Sequence, residues 1–299
     1  MIRSTFLAAT ALAHVFFLPP SLQAEPLKAT CWNIEWFPGG YPNASKRDQT
    51  KQLKGASTVL QKLAPDILLA QEVTDERAFE KLATAVPEMK VHVFSQFLES
   101  DGKTVGPQQC AIASTLKANS AWFEAFAPTA DLPNLRRGFA FAALEHPDGG
   151  LMMFYCVHLK SNRGSDTPEG AQDVADTRAE SVRQIIDHKA EMEKKFADQK
   201  IIGWVIAGDF NTNHDGQFPV CTVVADFEKA GFHNTWGNTP KKDRATWRSD
   251  PDPNDRRFEP TTFDYFMTTG FKKADAVMVP DVPRELSDHN PIMLMLSPE

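Results

Sequence analysis

The sequence predicts an α/β (α+β) fold, a four-layer sandwich of two mixed β-sheets packed face to face with helices on the outside. Three observations predict it. Short apolar runs, rich in branched or aromatic residues and bounded by turn formers, read as buried strands, with longer helical patterns between them. Asp148-Gly149-Gly150 stands between two of these runs as a hairpin turn, which argues against a purely parallel doubly wound sheet. No Pro/Ser/Gly-rich linker, internal repeat or low-complexity tract divides the chain, so strands and helices share one core.

In chain order, Leu27 to Ile34 is the first strand-like run and Arg47 to Leu63 the first helical pattern, followed by a strand at Ile67 to Ala70 and a helix at Glu76 to Ala85. Val91 to Phe97, Cys110 to Ser114, Phe139 to Leu144 and Leu151 to His158 make a strand-rich middle. A long helical pattern over Ala171 to Phe196 leads into the apolar run Trp204 to Ala207, and Cys221 to Ala230 is a shorter helix. Phe263 to Met267 and Ile292 to Leu296 close the series. Thr239 to Thr262 carries Pro and charge without a period, and reads as a surface loop of the kind that often borders a site.

At the N-terminus, Met1-Ile2-Arg3 precedes an apolar run from Phe6 to Leu18, then Pro19-Pro20 and a small-residue stretch ending at Ala24. That order is a secretory signal peptide. Its apolar core falls short of the roughly 18 to 20 residues that a bilayer span needs. The expectation is a signal peptide over residues 1–24 and a single domain over 25–299, exported to a periplasmic or extracellular space, with no stable membrane insertion and no evident protein partner. The formal net charge of -7 provides no global field for nucleic acid or a membrane surface. A locally basic groove and a bound cation can still reverse the sign where a polyanion binds. Cys31, Cys110, Cys156 and Cys221 fit no zinc spacing; one or two disulfides suit an oxidising compartment, with the pairing open.

Polar residues gather where strands end. After Trp204 to Ala207 comes Gly208-Asp209-Phe210-Asn211, in which strand alternation puts Asp209 and Asn211 on one side. Asn33 and Glu35 share a face in the same way after the first strand, and Gln71-Glu72 follows the second. Repeated oxygen ligands at strand ends suit Mg²⁺, with Mn²⁺ or Ca²⁺ as alternatives, because Mg²⁺ takes one or two carboxylates, carbonyl-type oxygens and several waters. Zinc fits less well, for want of His-x-x-x-His or a Cys pair. His158 and His289 also lie among polar residues at the ends of strand-like runs, in Val157 to Arg163 and Ser287-Asp288-His289, and imidazole exchanges protons near neutral pH. Asp264 stands in Phe263-Asp264-Tyr265.

Taken together, Asn-Ile-Glu at Asn33, Gln-Glu-Val at Gln71, His158, Gly-Asp-Phe-Asn at Gly208, Phe-Asp-Tyr at Phe263 and Ser-Asp-His at Ser287 occur in the order found in the endonuclease/exonuclease/phosphatase superfamily. Over nearly all of residues 25–299 the chain resembles its pancreatic-type deoxyribonucleases and exonuclease III-like repair nucleases. The resemblance implies a single catalytic domain with Glu72 as principal metal ligand, supported by Asn33, Glu35 and, on the far side, Asp288. It implies that Asp209 and Asn211 position and activate the attacking water, that His289 pairs with Asp264 to act on the phosphate, and that His158 protonates or neutralises the leaving oxygen. Arg137 resembles the phosphate-binding arginine, with Arg136 as the fallback; Lys160 and Asn162 beside His158 complete the expected phosphate contacts. Two departures matter. Gln108 and Gln109 stand where the deoxyribonucleases carry a glutamate behind the histidine, so His158 is expected to be less basic. Thr261-Thr262-Phe263 replaces the Arg-Leu/Ile start usual in repair nucleases, which puts a repair-type pocket in doubt.

The expected activity is metal-dependent phosphodiester hydrolysis by in-line attack of water. Nucleic acid ranks first as substrate, on Lys160, Arg163, Arg136-Arg137 and the basic residues Lys241, Lys242, Arg244, Arg248, Arg256 and Arg257 around Trp247. Asp243, Asp250, Asp252 and Asp255 dilute that loop. A lipid or sugar-phosphate hydrolase ranks second, with Trp122-Phe123 and Phe126 as the candidate apolar hairpin for entering an interface. An inactive binding protein on the same fold ranks last.

Overall fold

A computed structural model describes residues 25–249, 259–272, 277–278 and 282–298. The expected signal peptide, the acidic residues Asp250, Asp252 and Asp255, and Arg256 and Arg257 lie outside them. The first sheet contains β1 (Leu27–Phe37), β2 (Ile67–Val73), β3 (Lys90–Phe94), β4 (Gln109–Ser114), β11 (Val277–Met278) and β12 (Ile292–Leu296), in the order β11-β12-β1-β2-β4-β3. The second contains β5 (Ala118–Ala125), β6 (Gly138–Glu145), β7 (Leu151–His158), β8 (Ile201–Asp209), β9 (His233–Asn234) and β10 (Asp264–Thr269), in the order β5-β6-β7-β8-β10-β9. Each sheet has one parallel pair, β1 with β2 and β7 with β8, among antiparallel neighbours. The two sheets are therefore mixed, as expected, and Asp148-Gly149-Gly150 turns β6 into β7.

The continuous apolar runs follow from burial on both faces. In the first sheet Ala29, Cys31, Ile67, Leu69 and Ile112 join the core shared with the second sheet, while Trp32, Leu68, Ala70, Ala111 and Ala113 face α1 (Lys46–Leu63) and α2 (Glu76–Ala83). On the other side α3 (Pro168–Lys195) sends Val182, Ile185 and Met192, and α4 (Val223–Lys229) sends Phe227, into the core of the second sheet. Side-chain caps start three of these helices: Ser45 accepts from Asp48 N–H, Asp75 from Ala78 N–H, and Thr167 from Gly170 N–H ahead of Pro168. Pro168 moves the start of the long helix three residues ahead of the sequence reading, because a proline tolerates the first helical turn.

β5, β9 and β11 went unread in the sequence. β5 is an edge strand whose residues are half-buried or exposed, so it lacks the apolar run that marks its neighbours. Its Trp122 stacks at 4.5 Å on Phe141 of β6, and Phe126 is buried; only Phe123, 38% exposed, faces outward. The candidate membrane hairpin is thus the edge of the sandwich. Among the described residues no helix is long and apolar enough to cross a membrane. All four cysteines are free thiols, with Cys31, Cys110 and Cys156 buried between the sheets and Gln71 Nε2 donating to Cys156 Sγ at 3.0 Å.

Candidate active site

Both central strand pairs end at the same rim of the sandwich. Strand alternation alone does not assemble the site there, because Glu35, Glu72, Arg137 and Asn211 have positive φ, at 39°, 59°, 68° and 54°. For residues with a Cβ this left-handed conformation is uncommon and costs roughly 1–3 kcal/mol, and it collects at functional sites. Register breaks after Asn33 in β1 and after Ala70 in β2 accompany it. Glycine is required at position 208: a Cβ there would lie 1.8 Å from the carbonyl oxygen of Val157 in β7. The close approach sets Asp209 beside His158, their register partners at the end of the parallel pair.

The convergence is tight. His289 Nδ1 lies 2.7 Å from Asp264 Oδ2, and its Nε2 lies 3.7 Å from Asp209 Oδ2 and 3.9 Å from Asp288 Oδ1. His158 Nε2 lies 3.5 Å from Asp209 Oδ2 and 3.8 Å from Glu72 Oε1. Asn33 Nδ2 bridges Asp209 at 3.1 Å and Glu72 at 3.3 Å. Asn211 N–H donates to Asp209 Oδ1 at 2.7 Å, and its side-chain amide donates to Leu159 O. Burial pushes Asp209 up to about 7, with Asp264 and Glu72 adding to the effect of burial and His289 opposing it. Burial and the nearby Asp288 raise Glu72. Burial alone would lower His289, but Asp264, Asp288 and Asp209 outweigh it and hold the imidazole well above its ordinary value. Burial, Arg137 and His289 push His158 well below its ordinary value, and its Nδ1 has no hydrogen-bond partner among the described residues.

The sequence pattern of the Endonuclease/Exonuclease/phosphatase family matches residues 30–289. The chain belongs to the Endonuclease/Exonuclease/phosphatase family. Solved structures of the same fold include a family protein from Leptotrichia buccalis, 14% identical with TM-score 0.62, aligned over 91% of this chain and 99% of that one. A mannosyl-6-phosphatase from Bacteroides thetaiotaomicron is 16% identical with TM-score 0.62, over 91% and 99%. A truncated TDP2 from Caenorhabditis elegans is 18% identical with TM-score 0.64, over 92% and 98%. No curated protein matches the chain. Endonuclease/Exonuclease/phosphatase family members are hydrolytic phosphoesterases that generally use divalent metals.

Of the expected Endonuclease/Exonuclease/phosphatase residues, Asn33, Glu72, His158, Asp209, Asn211, Asp264, Asp288 and His289 come together. Glu35 joins them through a different contact: Arg284 grips its carboxylate at 2.7 and 3.3 Å, and Asp288 N–H donates to it at 3.0 Å. Arg137 stands at the rim with Nη1 on the carbonyls of His158 and Leu159 and Nη2 on Gln108. Those three bonds leave two of its five N–H donors for a phosphate. Lys160 donates to the carbonyls of Ser161 and Arg163, and Asn162 is occupied at both ends, by Arg178 and by Asn211 O. Asn162 therefore ties two loops together instead of presenting its amide outward.

Several supporting contacts, and Arg178 altogether, escaped the sequence reading. Arg178, 1% exposed on α3, donates to Lys160 O at 2.7 Å and Asn162 Oδ1 at 2.8 Å, which fixes the loop after His158. Ser287 Oγ donates to Asn33 O and accepts from His289 N–H, joining the first and last motifs. Trp247, expected to stack a base, donates its indole N–H to Asp288 Oδ2 at 2.9 Å and packs at 5.4 Å on Phe263. Arg244 pairs with Asp215 while buried, and Arg248 donates to Val282 O. Apart from the Ser287–His289 bond, no local pattern marks these partners, since each contact spans tens to hundreds of residues. The oxygen donors that could hold a cation are Glu72 and Asp288, with Asn33 and Glu35 beside them. Among the described residues no group of three or more His, Cys, Asp or Glu side chains is arranged to hold a metal ion by itself, so waters and substrate would have to complete any coordination.

Proposed function

We propose that the protein is an exported, divalent-metal-dependent phosphodiesterase that hydrolyses its substrate by in-line attack of water. The observation that carries this is the buried Asp264–His289 pair facing Asp209, with His158 beside the same carboxylate oxygen. Glu72 and Asp288 would hold Mg²⁺, with Mn²⁺ or Ca²⁺ as alternatives; when bound, the cation neutralises charge on the non-bridging and leaving oxygens. Burial raises Glu72 and Asp209 above the usual carboxylate range, with neighbouring carboxylates adding to it; His289 opposes the effect at Asp209, which as a carboxylate would accept a proton from the attacking water. His289, kept cationic by Asp264, holds a phosphate oxygen. Arg137 adds its two remaining N–H donors, and His158 stands at the leaving oxygen.

A nucleic-acid substrate keeps Arg163, Lys241 and Lys242 as support and loses the inward-facing Arg244 and Arg248 and the backbone-bound Lys160. A small phosphate ester gains a specific observation, a cleft beside His158. The test is to incubate the purified protein, with Asp209→Ala and His289→Ala as controls, with plasmid, single-stranded DNA, RNA, sphingomyelin and bis(p-nitrophenyl) phosphate in Mg²⁺, Mn²⁺ or Ca²⁺. Metal-dependent turnover abolished in both variants is expected. Full activity in excess EDTA would sink the mechanism.

A further inference from the structure

The cleft beside His158 has a volume of about 490 Å³, which falls in the range of small-molecule sites. His158, Arg137 and Lys160 form its inner end, whereas none of Asp209, Asn211, Asp264, Asp288 or His289 lines it. A phosphate held at this rim beside His158 would place one ester group in this space. Asp209 and Asn211, which would position the attacking water, stay outside it.

Two elements build the walls. The β5–β6 connection contributes Asp131 and Asn134, and the first turns of α3 contribute Asp173 and Thr177. Asp131 and Asp173 are exposed, and neither carboxylate has a hydrogen-bond or ion-pair partner among the described residues. Ionised carboxylates only accept hydrogen bonds, so the occupant must bring donors. Between them, Leu132, Pro133 and Leu159 offer an apolar surface for C–H faces.

A nucleobase fits poorly. The one aromatic lining residue, Phe126, is 4% exposed and packed 6.1 Å from Phe139, so it presents no face for stacking. A second phosphate fits no better, because it would meet two carboxylates while Arg136 is paired with Glu99 and Lys160 with backbone carbonyls. Hydroxyl donors combined with C–H faces describe a sugar.

We propose that this cleft binds the sugar moiety of a sugar phosphate ester, with Asp131 and Asp173 accepting hydrogen bonds from its hydroxyls, which makes them the specificity-determining residues. The proposal rests on the hydrolase assignment of the adjoining site and names its substrate class. The test compares kcat/KM, with Mg²⁺, for a hexose 6-phosphate methyl diester, a dinucleotide and bis(p-nitrophenyl) phosphate. The sugar ester is expected to lead the dinucleotide by at least about tenfold. In Asp131→Asn/Asp173→Asn the ratio of sugar to aryl ester should fall about tenfold, chiefly through KM, while Asp187→Asn on the outer side of α3 leaves that ratio alone. Metal-dependent aryl hydrolysis with no sugar preference, or a ratio that the double variant does not move, overturns the cleft assignment and leaves the hydrolase standing. If no ester is turned over, the hydrolase assignment fails, and titration calorimetry with methyl hexosides decides the cleft by itself. Binding lost in the double variant supports it, and no binding overturns it.

Discussion

At the scale of single residues, the pair Asp264–His289 bears most of the proposed chemistry. Asp264 is fully buried, and its Oδ2 meets His289 Nδ1 at 2.7 Å. Asp264→Asn preserves the shape and removes the charge that holds the imidazole cationic. The expected outcome is a fall in kcat of about 10²- to 10³-fold with KM changed far less, measured on the aryl diester. A loss under about fivefold would remove Asp264 from the mechanism. Both members of this pair were legible in sequence, because each sits in a short polar motif at the end of an apolar run. Arg284 on Glu35, Arg178 on Asn162 and Trp247 on Asp288 were not, since an arginine or tryptophan on a helix or loop has no local mark of the carboxylate or amide it will meet.

Whole elements depend on buried polar groups of their own. α3 docks on the second sheet through His188, which lies among Trp122, Phe139, Phe141 and Tyr155 and meets Tyr155 Oη at 2.8 Å. Burial, with Lys195 adding to it, depresses His188 to about 4. Between pH 6.5 and 4 the unfolded chain therefore binds a proton that the folded one refuses, so this contribution is complete above about 6.5 and is lost as pH falls toward 4. His188→Gln should flatten the decline of Tm over that window in a thermal-melt series. An unchanged slope would assign the acid sensitivity elsewhere. The sequence reading found α3 from its long apolar period but missed β5, on whose Trp122 the same histidine packs, because an edge strand with one wet face carries a weaker pattern than a strand buried on both.

Across the molecule, the proposed cation donors come from the first sheet and its connections, Glu72 from β2 and Asp288 just ahead of β12, while Asp209 and His158 come from the second. A ligand that binds only this assembled rim stabilises both sheets together. At 100 times its dissociation constant, Mg²⁺ should add about 2.7 kcal/mol, which is a Tm increase on the order of 4 to 5 °C for a chain of this size. EDTA should reverse the shift and Glu72→Gln should abolish it, read by calorimetry; equal shifts in wild type and variant would place the ion elsewhere. The strand runs, the hairpin turn and the ordered polar motifs were properties of the chain alone, because period, turn chemistry and residue type act over a few neighbouring positions. Which of those polar residues face one another was settled only in three dimensions. Left-handed kinks at Glu35, Glu72 and Asn211 re-aim the strand ends, and the close approach at Gly208 brings Asp209 to His158. Loop contacts then decide that Arg244 turns in onto Asp215 and Arg248 onto Val282 O, and the β5–β6 connection and α3 leave a cleft beside His158.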